Sequence, residues 1–539
     1  MQPRDPSRLE SDHFDVLVVG GGIHGLATAY EAASRGLRTA LIDAADFGSG
    51  ISFNHQKTVH GGLRSLQSLR LDRAREGIRE RRALARIAPW FLRPMPFIMG
   101  TYRSMTRGRA ALRAAFALDG LLGRDRNEGV ERELHLPPPK LLSRALTMKL
   151  FAGIKPHGLT GGAQWHDYQM VENDRLTLAF AAAADRAGCV LANYAEAVSA
   201  IRDNGRIAGM TVRDVEGGRS FVIRAALTIN AAGSATAEVM RMFGVPGNVP
   251  LLAAMNLVTA RPAKEIALAS PTSSGRMLTL VPWRGRAIVG TSQSSAPASP
   301  ADVRAASAEV DAFIADANDA FPALGVTRAD VTLLHRGLVP AAQVGRTLQL
   351  LAVPSIRNHA ADGANGAMTI TGVKYTTARG VAQRTVDAAA RHLGKRVRRS
   401  ETSRTVLPGA GIGDHEALAI ETARRHRIEL SPATLQRLST LYAERSADII
   451  RLVDGRRELA RPLAAGSDAI AAEIVHVIQQ EMAVRLTDIV IRRTTLGAAG
   501  HPGAAVLSEC ARIARDEMHW TDERMAAEIA TVEQIYELP

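Results

Sequence analysis

A glycine-rich turn near the N-terminus constrains the fold more than any other feature of this sequence. Residues 20–25 read GGGIHG, a G-x-G-x-x-G pattern that directly follows the apolar run at residues 15–19. A helical segment comes next, and a second apolar run ends at Asp43. A strand, a glycine turn, a helix and a second strand within about 30 residues predict a βαβ unit that binds a dinucleotide.

Each glycine of the turn has its own task in such a unit. Gly20 permits the tight turn, Gly22 lets the backbone approach the pyrophosphate, and Gly25 lets the helix pack on the sheet. The helix N-terminus then faces the phosphates with its unpaired N–H groups. Asp43 is expected to accept hydrogen bonds from the adenosine ribose. FAD and NAD share this pattern, so the choice between them depends on other residues.

A second motif, KTVHGGLR at residues 57–64, follows the second predicted strand. Its adjacent glycines admit a flat ligand against the backbone. Together with the glycine turn, this motif resembles the opening of the FAD-dependent glycerol-3-phosphate dehydrogenase family. The resemblance implies FAD as the cofactor. It also implies that a loop along the flavin contains Ser52, Lys57, His60, Gly61 and Gly62.

Further motifs follow in the order of that family, and the resemblance covers about residues 15 to 500. They are HDYQ at 166–169, DRL at 174–176, NAAG at 230–233, VPW at 281–283, GTS at 290–292, GVKYTTAR at 372–379, RLTD at 485–488 and RRT at 492–494. The resemblance implies additional cofactor-binding residues, namely Ala232, Gly233, Gly372, Lys374, Tyr375 and Thr376. Lys374 also precedes a predicted helix, so it would place positive charge at the flavin edge where negative charge develops on reduction.

The sequence departs from the family at three positions near the substrate. Ser65 replaces a tyrosine, Asn256 replaces a histidine, and Val339 replaces an arginine that grips phosphate. Asparagine cannot act as a base near neutral pH, and valine cannot bind phosphate. The remaining candidates for positive charge are Arg64, Arg336, Arg357 and Lys374, and His359 is a candidate replacement base.

Charge and composition limit the partners and the compartment. The 67 Lys and Arg residues outnumber 54 Asp and Glu residues, giving a net charge of +13. Such a balance favours anionic partners, although arginine-rich coding bias explains it equally well. Two distant cysteines make neither a disulfide framework nor a metal site, which indicates a reducing cytoplasm. We see no signal peptide and no apolar run of about 18 residues.

Residues 102–124 form an arginine-rich segment with an apolar side that contains Leu112, Phe116, Leu121 and Leu122. An amphipathic helix of this kind can lie in the headgroup plane of an anionic membrane. It would then attach the protein to the inner face of the cell membrane. The alternative is an ordinary helix whose apolar side packs on the protein core.

These observations together predict an α/β fold. Residues 14–398 are expected to form a two-dinucleotide-binding, Rossmann-like FAD domain interleaved with an antiparallel substrate sheet, and residues 399–539 a C-terminal helical domain. The resemblance implies an FAD-dependent dehydrogenase that oxidises a secondary alcohol by hydride transfer, acts on glycerol 3-phosphate or a related polyol phosphate, and reduces a quinone. The alternatives are a flavin oxidase of another hydroxy acid or amine, and a flavin-binding protein that has lost catalysis. We expect no metal and no nucleic acid, and a homodimer is compatible with these features.

Overall fold

The computed structural model describes residues 1, 3–66, 70–103 and 108–539 of the chain. Its strands are β1 (His13–Val19), β2 (Thr39–Ile42), β3 (Thr58–Val59), β4 (Leu92–Tyr102), β5 (Lys140–Leu142), β6 (Leu159–Met170), β7 (Val190–Ala192), β8 (Ala195–Asp203), β9 (Arg206–Asp214), β10 (Ser220–Asn230), β11 (Leu251–Thr259), β12 (Ala267–Pro271), β13 (Met277–Trp283), β14 (Arg286–Gln293), β15 (Val331–Val344), β16 (Thr347–Leu350), β17 (Ser355–Asn358) and β18 (Ala367–Thr371).

The α-helices of the same residues are interspersed with these strands as far as α10 and then follow one another. They are α1 (Ser7–Ser11), α2 (Ile23–Ser34), α3 (Leu63–Leu66), α4 (Leu71–Ile87), α5 (Arg109–Leu122), α6 (Arg144–Leu150), α7 (Asn173–Arg186), α8 (Thr236–Met242), α9 (Ser307–Ala320), α10 (Ala378–Leu393), α11 (His415–Arg425), α12 (Pro432–Tyr442), α13 (Ser446–Gly455), α14 (Ala471–Gln480), α15 (Ala504–Met518) and α16 (Asp522–Tyr536).

One sheet carries the nucleotide-binding turn. Its order in the described residues is β17-β18-β10-β1-β2-β7, and the β8–β9 hairpin pairs with β10. Strands β18, β10, β1, β2 and β7 are parallel. Six of the seven β1 residues are buried, as expected for a central parallel strand covered on both faces. The carboxyl ends of β1, β2, β10 and β18 therefore meet at one edge of the sheet, which is where ligands bind in such folds.

The second sheet is mainly antiparallel and is formed by segments that lie between those of the first. Its order in the described residues is β16-β15-β11-β14-β13-β12-β4-β6-β3, with β5 paired to β6. The segments that contain the VPW and GTS motifs form a hairpin of β13 and β14, which pair from Thr279–Gly290 to Trp283–Arg286. The predicted interleaved α/β architecture is confirmed.

The last six helices, α11 to α16, share a hydrophobic core with the second sheet. This core includes Leu438, Val475 and Ile489 from the C-terminal region, together with Phe53 and Trp283 from the earlier part of the chain. The side chain of Trp283 is 1% exposed. The C-terminal helices therefore cover the hairpin of the second sheet.

The structure does not form one amphipathic helix over residues 102–124. Tyr102 ends β4, residues 104–107 with Arg107 lie outside the described part of the chain, and α5 begins only at Arg109. Leu112 and Phe116 are buried in a cluster with Ala163, as the alternative of a helix packed on the protein core predicts. Within the described ranges, no helix is long and apolar enough to cross a bilayer.

Candidate active site

The glycine turn packs backbone against backbone at the carboxyl end of β1. Gly20 has a φ of +111°, and a Cβ there would lie 2.5 Å from the carbonyl oxygen of Ala231. A Cβ on Gly25 would overlap the carbonyl oxygen of Gly20. Gly22 precedes α2 and offers no capping side chain, while Ser52 Oγ accepts a hydrogen bond from the Ile23 amide at 2.9 Å. The helix start is thus held open toward the sheet edge.

The carboxylate of Asp43 lies against this turn. One oxygen accepts a hydrogen bond from the Gly21 amide at 2.5 Å, and the other accepts one from the Ala45 amide at 2.7 Å. Burial raises the pKa of Asp43 to about 6, although both amide hydrogen bonds act to lower it. An acid at the end of the second strand of such a unit is in place to bind ribose hydroxyls.

The loop at His60 and Gly61 is held by a buried carboxylate from β6. Asp167 accepts a hydrogen bond from the Gly61 amide at 2.8 Å, and its other oxygen lies 3.1 Å from His60 Nδ1. Arg81 on α4 forms an ion pair with the same carboxylate. Burial alone would raise the pKa of Asp167, but Arg81 and His60 hold that pKa below its ordinary value. The His60 amide also donates to Thr376 Oγ1 at 3.2 Å, so this loop contacts the segment after β18.

The segment after β18 lies on the glycine turn. A Cβ on Gly372 would come within 2.5 Å of His24 Nε2, a buried nitrogen with no hydrogen-bond partner among the described residues. Burial lowers the pKa of His24 to about 4, which keeps the imidazole neutral. Tyr375 is buried, and its hydroxyl lies 2.9 Å from Thr177 Oγ1. Lys374 is exposed and precedes the short 3₁₀ turn Tyr375–Thr377.

The structure therefore brings most of the predicted cofactor residues to one edge of the parallel sheet. The glycine turn, Asp43, Ser52, the His60–Gly62 loop and the Gly372–Thr376 segment are joined by the contacts above. Ala232 and Gly233 follow β10 at the same edge, where Gly233 has a φ of +58°.

Comparison with known proteins identifies the family. The family profile described as FAD dependent oxidoreductase matches residues 15–388. The chain belongs to the FAD-dependent oxidoreductase family. A second profile, the C-terminal domain of alpha-glycerophosphate oxidase, matches residues 400–525. FAD is therefore the cofactor of this oxidoreductase.

The relatives of this oxidoreductase share its full length. The glycerol-3-phosphate dehydrogenase of Synechocystis sp. is 29% identical over 98% of this chain and 97% of its own. That of Mycobacterium leprae is 30% identical over 97% of this chain and 88% of its own. The glycerol-3-phosphate dehydrogenase of Bacillus halodurans complexed with FAD has the same fold, with a TM-score of 0.76 at 22% identity over 98% of this chain and 96% of its own. The resemblance inferred from the motifs is confirmed.

The residues of the sheet edge fit FAD. Gly22 has no side chain to cap the start of α2, which leaves N–H groups other than the Ser52-bound Ile23 amide for a pyrophosphate. Gly61 and Gly372 allow Arg81 and His24 to pack directly against the backbone, since a Cβ at either position would collide with those side chains. The buried Nε2 of His24 offers a polar atom that lacks a partner in the described protein. These residues would hold the cofactor along the edge.

The structure places the ammonium of Lys57 away from this edge, contrary to expectation. The side chain is fully buried, and its Nζ donates to the Phe53 carbonyl and lies 4.0 Å from the centre of the Phe53 ring. Trp283 closes the other side at 5.2 Å. Burial lowers the pKa of Lys57 to about 8. Lys57 thus contributes its left-handed backbone, with a φ of 55°, rather than its charge to the flavin loop.

The predicted replacement base, His359, does not reach the site. It is fully buried, and its two ring nitrogens lie 2.8 Å from Asp362 Oδ2 and 2.8 Å from Thr369 Oγ1. Its amide bonds to the Ala367 carbonyl at the start of β18, whereas the flavin segment follows the end of that strand. His359 is therefore fully buried near the start of β18, away from the flavin segment that follows the end of that strand, and the structure gives no support for a role as base.

Two other candidates for positive charge at the substrate, Arg357 and Arg336, instead pair with carboxylates. Arg357 forms a bidentate pair with Asp362, at 2.9 and 2.7 Å. Arg336 pairs with Glu309 at 3.0 Å. Arg64 lies on α3, and its side chain is outside the described part of the structure. Four residues were predicted to supply positive charge. Among them, Lys374 lies in the segment that the described contacts place beside the glycine turn.

Two of the three substituted family positions, Asn256 and Val339, are neutral and buried. Asn256 on β11 is 2% exposed and accepts a hydrogen bond from Thr291 Oγ1 at 2.8 Å. Val339 on β15 is 4% exposed and pairs with Leu252 across the sheet. Neither position can supply the charge or the base that the family has there.

The RRT motif fastens the C-terminal region to the loop after β2. Arg493 binds both oxygens of Asp46 at 2.8 and 2.7 Å, and Arg492 Nε binds Asp46 at 2.6 Å. Arg492 also binds Asp488 at 2.6 Å. Burial would raise the pKa of Asp46, but the two arginines lower it to about 2. The motif thus stabilises the loop that contains Asp43, a role the sequence did not reveal.

Proposed function

We propose that this protein oxidises glycerol 3-phosphate or a related polyol phosphate at its secondary hydroxyl. The supporting comparison is the full-length similarity to proteins named glycerol-3-phosphate dehydrogenase. When bound, FAD supplies the two-electron acceptor for this reaction. The protein must then supply a base for the hydroxyl proton and positive charge for the phosphate.

The observation that carries this proposal is the His60–Asp167 pair. The side chain of His60 is 53% exposed, in contrast to the fully buried His359. Asp167 orients the imidazole through Nδ1, and Thr58 Oγ1 lies 2.9 Å from Nε2. A carboxylate that orients an imidazole and stabilises its protonated form is a common arrangement for a general base. His60 accordingly takes the substrate hydroxyl proton, and Asp167 stabilises the resulting charge.

Positive charge for the phosphate comes from the same edge. Lys374 is exposed at the start of the turn that follows β18, and Arg64 follows the glycine loop in sequence. Both belong to segments that the family resemblance assigns to the flavin. They are the candidates to supply the positive charge that Val339 cannot, which keeps a phosphorylated substrate as the proposed one.

Anaerobic bleaching of the flavin absorbance tests this function. Glycerol 3-phosphate is expected to bleach the purified protein, and glycerol at the same concentration is not. His60→Gln should retain FAD and slow bleaching by about 10²- to 10⁴-fold, the usual contribution of a general base. Bleaching by a hydroxy acid or an amine alone would instead establish the oxidase alternative. If no substrate bleaches the flavin, the protein is a flavin-binding protein without catalysis.

We further propose that a quinone accepts the electrons, as the family resemblance implies. The test mixes the substrate-reduced protein with a soluble ubiquinone analogue or with air-saturated buffer. Rapid reoxidation by the quinone is expected, with slow reoxidation and little hydrogen peroxide in air. Stoichiometric hydrogen peroxide would contradict a quinone acceptor.

A further inference from the structure

An arginine-lined cavity of about 410 Å³ lies between α4, α10 and the segment that follows α10. Its volume falls within the usual range of ligand pockets, about 300 to 1,000 Å³. Six arginines line it: Arg79, Arg82, Arg86, Arg379, Arg384 and Arg404. No acidic and no aromatic side chain is among the described residues that line it.

The helical spacing places the three arginines of α4 on the side of that helix that faces the cavity. Arg79, Arg82 and Arg86 are separated by three and four residues and therefore share one face of α4. The opposite face of α4 carries Arg81, which binds Asp167 at the flavin loop. One helix thus forms the wall of the cavity on one side and supports the candidate active site on the other.

Carboxylates hold several of these arginines in place from outside the cavity. Glu80 binds Arg379 through two contacts of 2.7 Å, and Glu76 binds Arg384 at 2.8 Å. Asp125 binds Arg82 at 2.7 Å. Arg379 is only 5% exposed at the floor of the cavity. The guanidinium groups are therefore fixed before any ligand binds, which lowers the entropic cost of binding.

Two arginines at the cavity lack a carboxylate partner within the described structure. Arg86 donates to the backbone carbonyl of Glu128 and forms no ion pair there, and Arg404 has no acidic group within 4 Å in those residues. Burial and the neighbouring Arg82 lower the pKa of Arg86. The other four arginines are paired with carboxylates, so Arg86 and Arg404 carry the positive charge at the cavity that no described carboxylate pairs with.

We propose that this cavity binds a compact, soluble ligand that carries two or more phosphoryl groups. Planar guanidinium groups match phosphoryl oxygens in bidentate geometry. A nucleobase would find no aromatic side chain on which to stack among the described lining residues. Arg379 and Arg82 are recessed, so they suit a small molecule better than the flat surface of a membrane.

Titration calorimetry of the FAD-loaded protein with inorganic pyrophosphate tests this site. Binding is expected at low salt, to weaken as salt rises, and to persist when saturating glycerol 3-phosphate occupies the catalytic site. Arg86→Gln combined with Arg404→Gln should weaken pyrophosphate binding at least tenfold. The matched control, Arg424→Gln with Arg425→Gln on exposed α11, should leave binding unchanged, and all variants should retain equal FAD absorbance.

Three results would overturn the proposal. The first is the absence of pyrophosphate binding to the wild-type protein. The second is equal binding by wild type and the Arg86/Arg404 double variant when FAD content is unchanged. The third is flotation with phosphatidylglycerol vesicles that depends on Arg86 and Arg404 while pyrophosphate fails to bind, which would assign the arginines to a lipid headgroup.

Discussion

Gly22 separates the start of α2 from Ser52, and a Cβ there would lie 3.3 Å from Ser52 Oγ. We expect Gly22→Val to abolish FAD binding, because the branched side chain fills the path of the pyrophosphate. The measurement is flavin absorbance per protein after purification and addition of FAD. Gly120→Ala is the matched control: it has open space within 4 Å and should retain FAD and gain up to about 1 kcal/mol of stability. Retention of FAD by Gly22→Val would contradict the assignment of this turn.

Asp43 should make FAD affinity depend on pH. In the free protein its pKa is raised to about 6 by burial, while ribose hydroxyls donate to the ionised carboxylate. FAD binding therefore requires the charged form, and the affinity of the apoprotein should fall as pH drops below about 6, by at most about tenfold per pH unit. Fluorescence titration of apoprotein between about pH 5 and about pH 8 measures this dependence. Asp43→Asn should bind weakly with a flat profile, and a steep profile in that variant would refute the role of Asp43.

Lys374 should affect flavin reduction more than flavin binding. It lies exposed at the start of the turn that contacts the His60 loop, and its charge would stabilise negative charge that develops only on reduction. We expect Lys374→Ala to slow substrate bleaching in stopped-flow measurements while FAD dissociation changes little. Lys149→Ala, at an exposed position on α6, is the control. Equal bleaching rates for Lys374→Ala and wild type would remove Lys374 from the site.

Among individual residues, the sequence predicted those whose contacts lie within one short stretch of the chain. Gly20, Gly22 and Asp43 follow from a short pattern, and the Gly21 amide that binds Asp43 belongs to the same βαβ unit. His24 was not predicted, because its buried nitrogen meets Gly372, far along the chain. The chemistry of His359 alone suggests a base, but its contacts with Asp362 and Thr369 form only in the folded sheet.

Helix α4 supports the flavin loop through one buried ion pair. Arg81 and Asp167 are 5% and 4% exposed. We expect Arg81→Met to cost about 3 kcal/mol or more, because it leaves a buried carboxylate without its partner. Combining it with Asp167→Asn should cost less than the sum of the two single changes, since the neutral pair needs no compensation.

Thermal unfolding of the four proteins, followed by circular dichroism and flavin fluorescence, measures this cycle. Arg79→Met on the same helix is the control: its side chain is 52% exposed, and Glu80 keeps its two contacts with Arg379, so stability should change little. Additive effects of the Arg81 and Asp167 substitutions would show that the two side chains do not act as a pair.

The pattern of apolar residues predicted a helix or strand well where only one kind of surface can cover it. The continuous apolar run of β1 appears as a buried strand, as expected. A single helix over residues 102–124 was wrong, while membrane contact by this segment stays a prediction, because an apolar helix face has the same pattern whether lipid or protein covers it. Leu112 and Phe116 are covered by Ala163, which belongs to β6 and is too distant in sequence for a local pattern to encode the contact.

For the whole molecule, the order of helices and strands predicted the fold class but not the contacts that join the C-terminal region to the flavin domain. The glycine turn, the alternating strands and the late run of helices indicated an interleaved flavin fold followed by a helical region. The RRT motif marked a position without revealing a contact, because Asp46 and Arg493 lie toward opposite ends of the chain. Only the folded chain shows that the C-terminal region holds the loop after β2.

The ion pair between Asp46 and Arg493 should make the C-terminal region necessary for flavin retention. Asp46 and Arg493 are at most 1% exposed. Arg493→Met removes a partner of a buried carboxylate, so we expect a loss of about 3 to 5 kcal/mol and release of FAD at lower temperature. Asp46→Asn combined with Arg493→Met should recover part of this loss. Arg515→Met, in an exposed ion pair on α15, should leave the release temperature unchanged.

The same ion pair between Asp46 and Arg493 predicts how the stability of the folded protein changes in acid. The pKa of Asp46 is about 2 in the folded protein and 3.8 for an ordinary aspartate. A carboxyl group with a depressed folded pKa contributes stability that is fully present above the unfolded value and is lost as pH falls through the folded value. The wild-type protein should therefore lose this contribution between about pH 4 and pH 2, and flavin fluorescence should report release of FAD at progressively lower temperature across that interval. Asp46→Asn should lack this part of the acid dependence, because its side chain does not titrate. An identical acid profile for Asp46→Asn and wild type would show that the Asp46–Arg493 pair does not couple the C-terminal helices to the flavin domain.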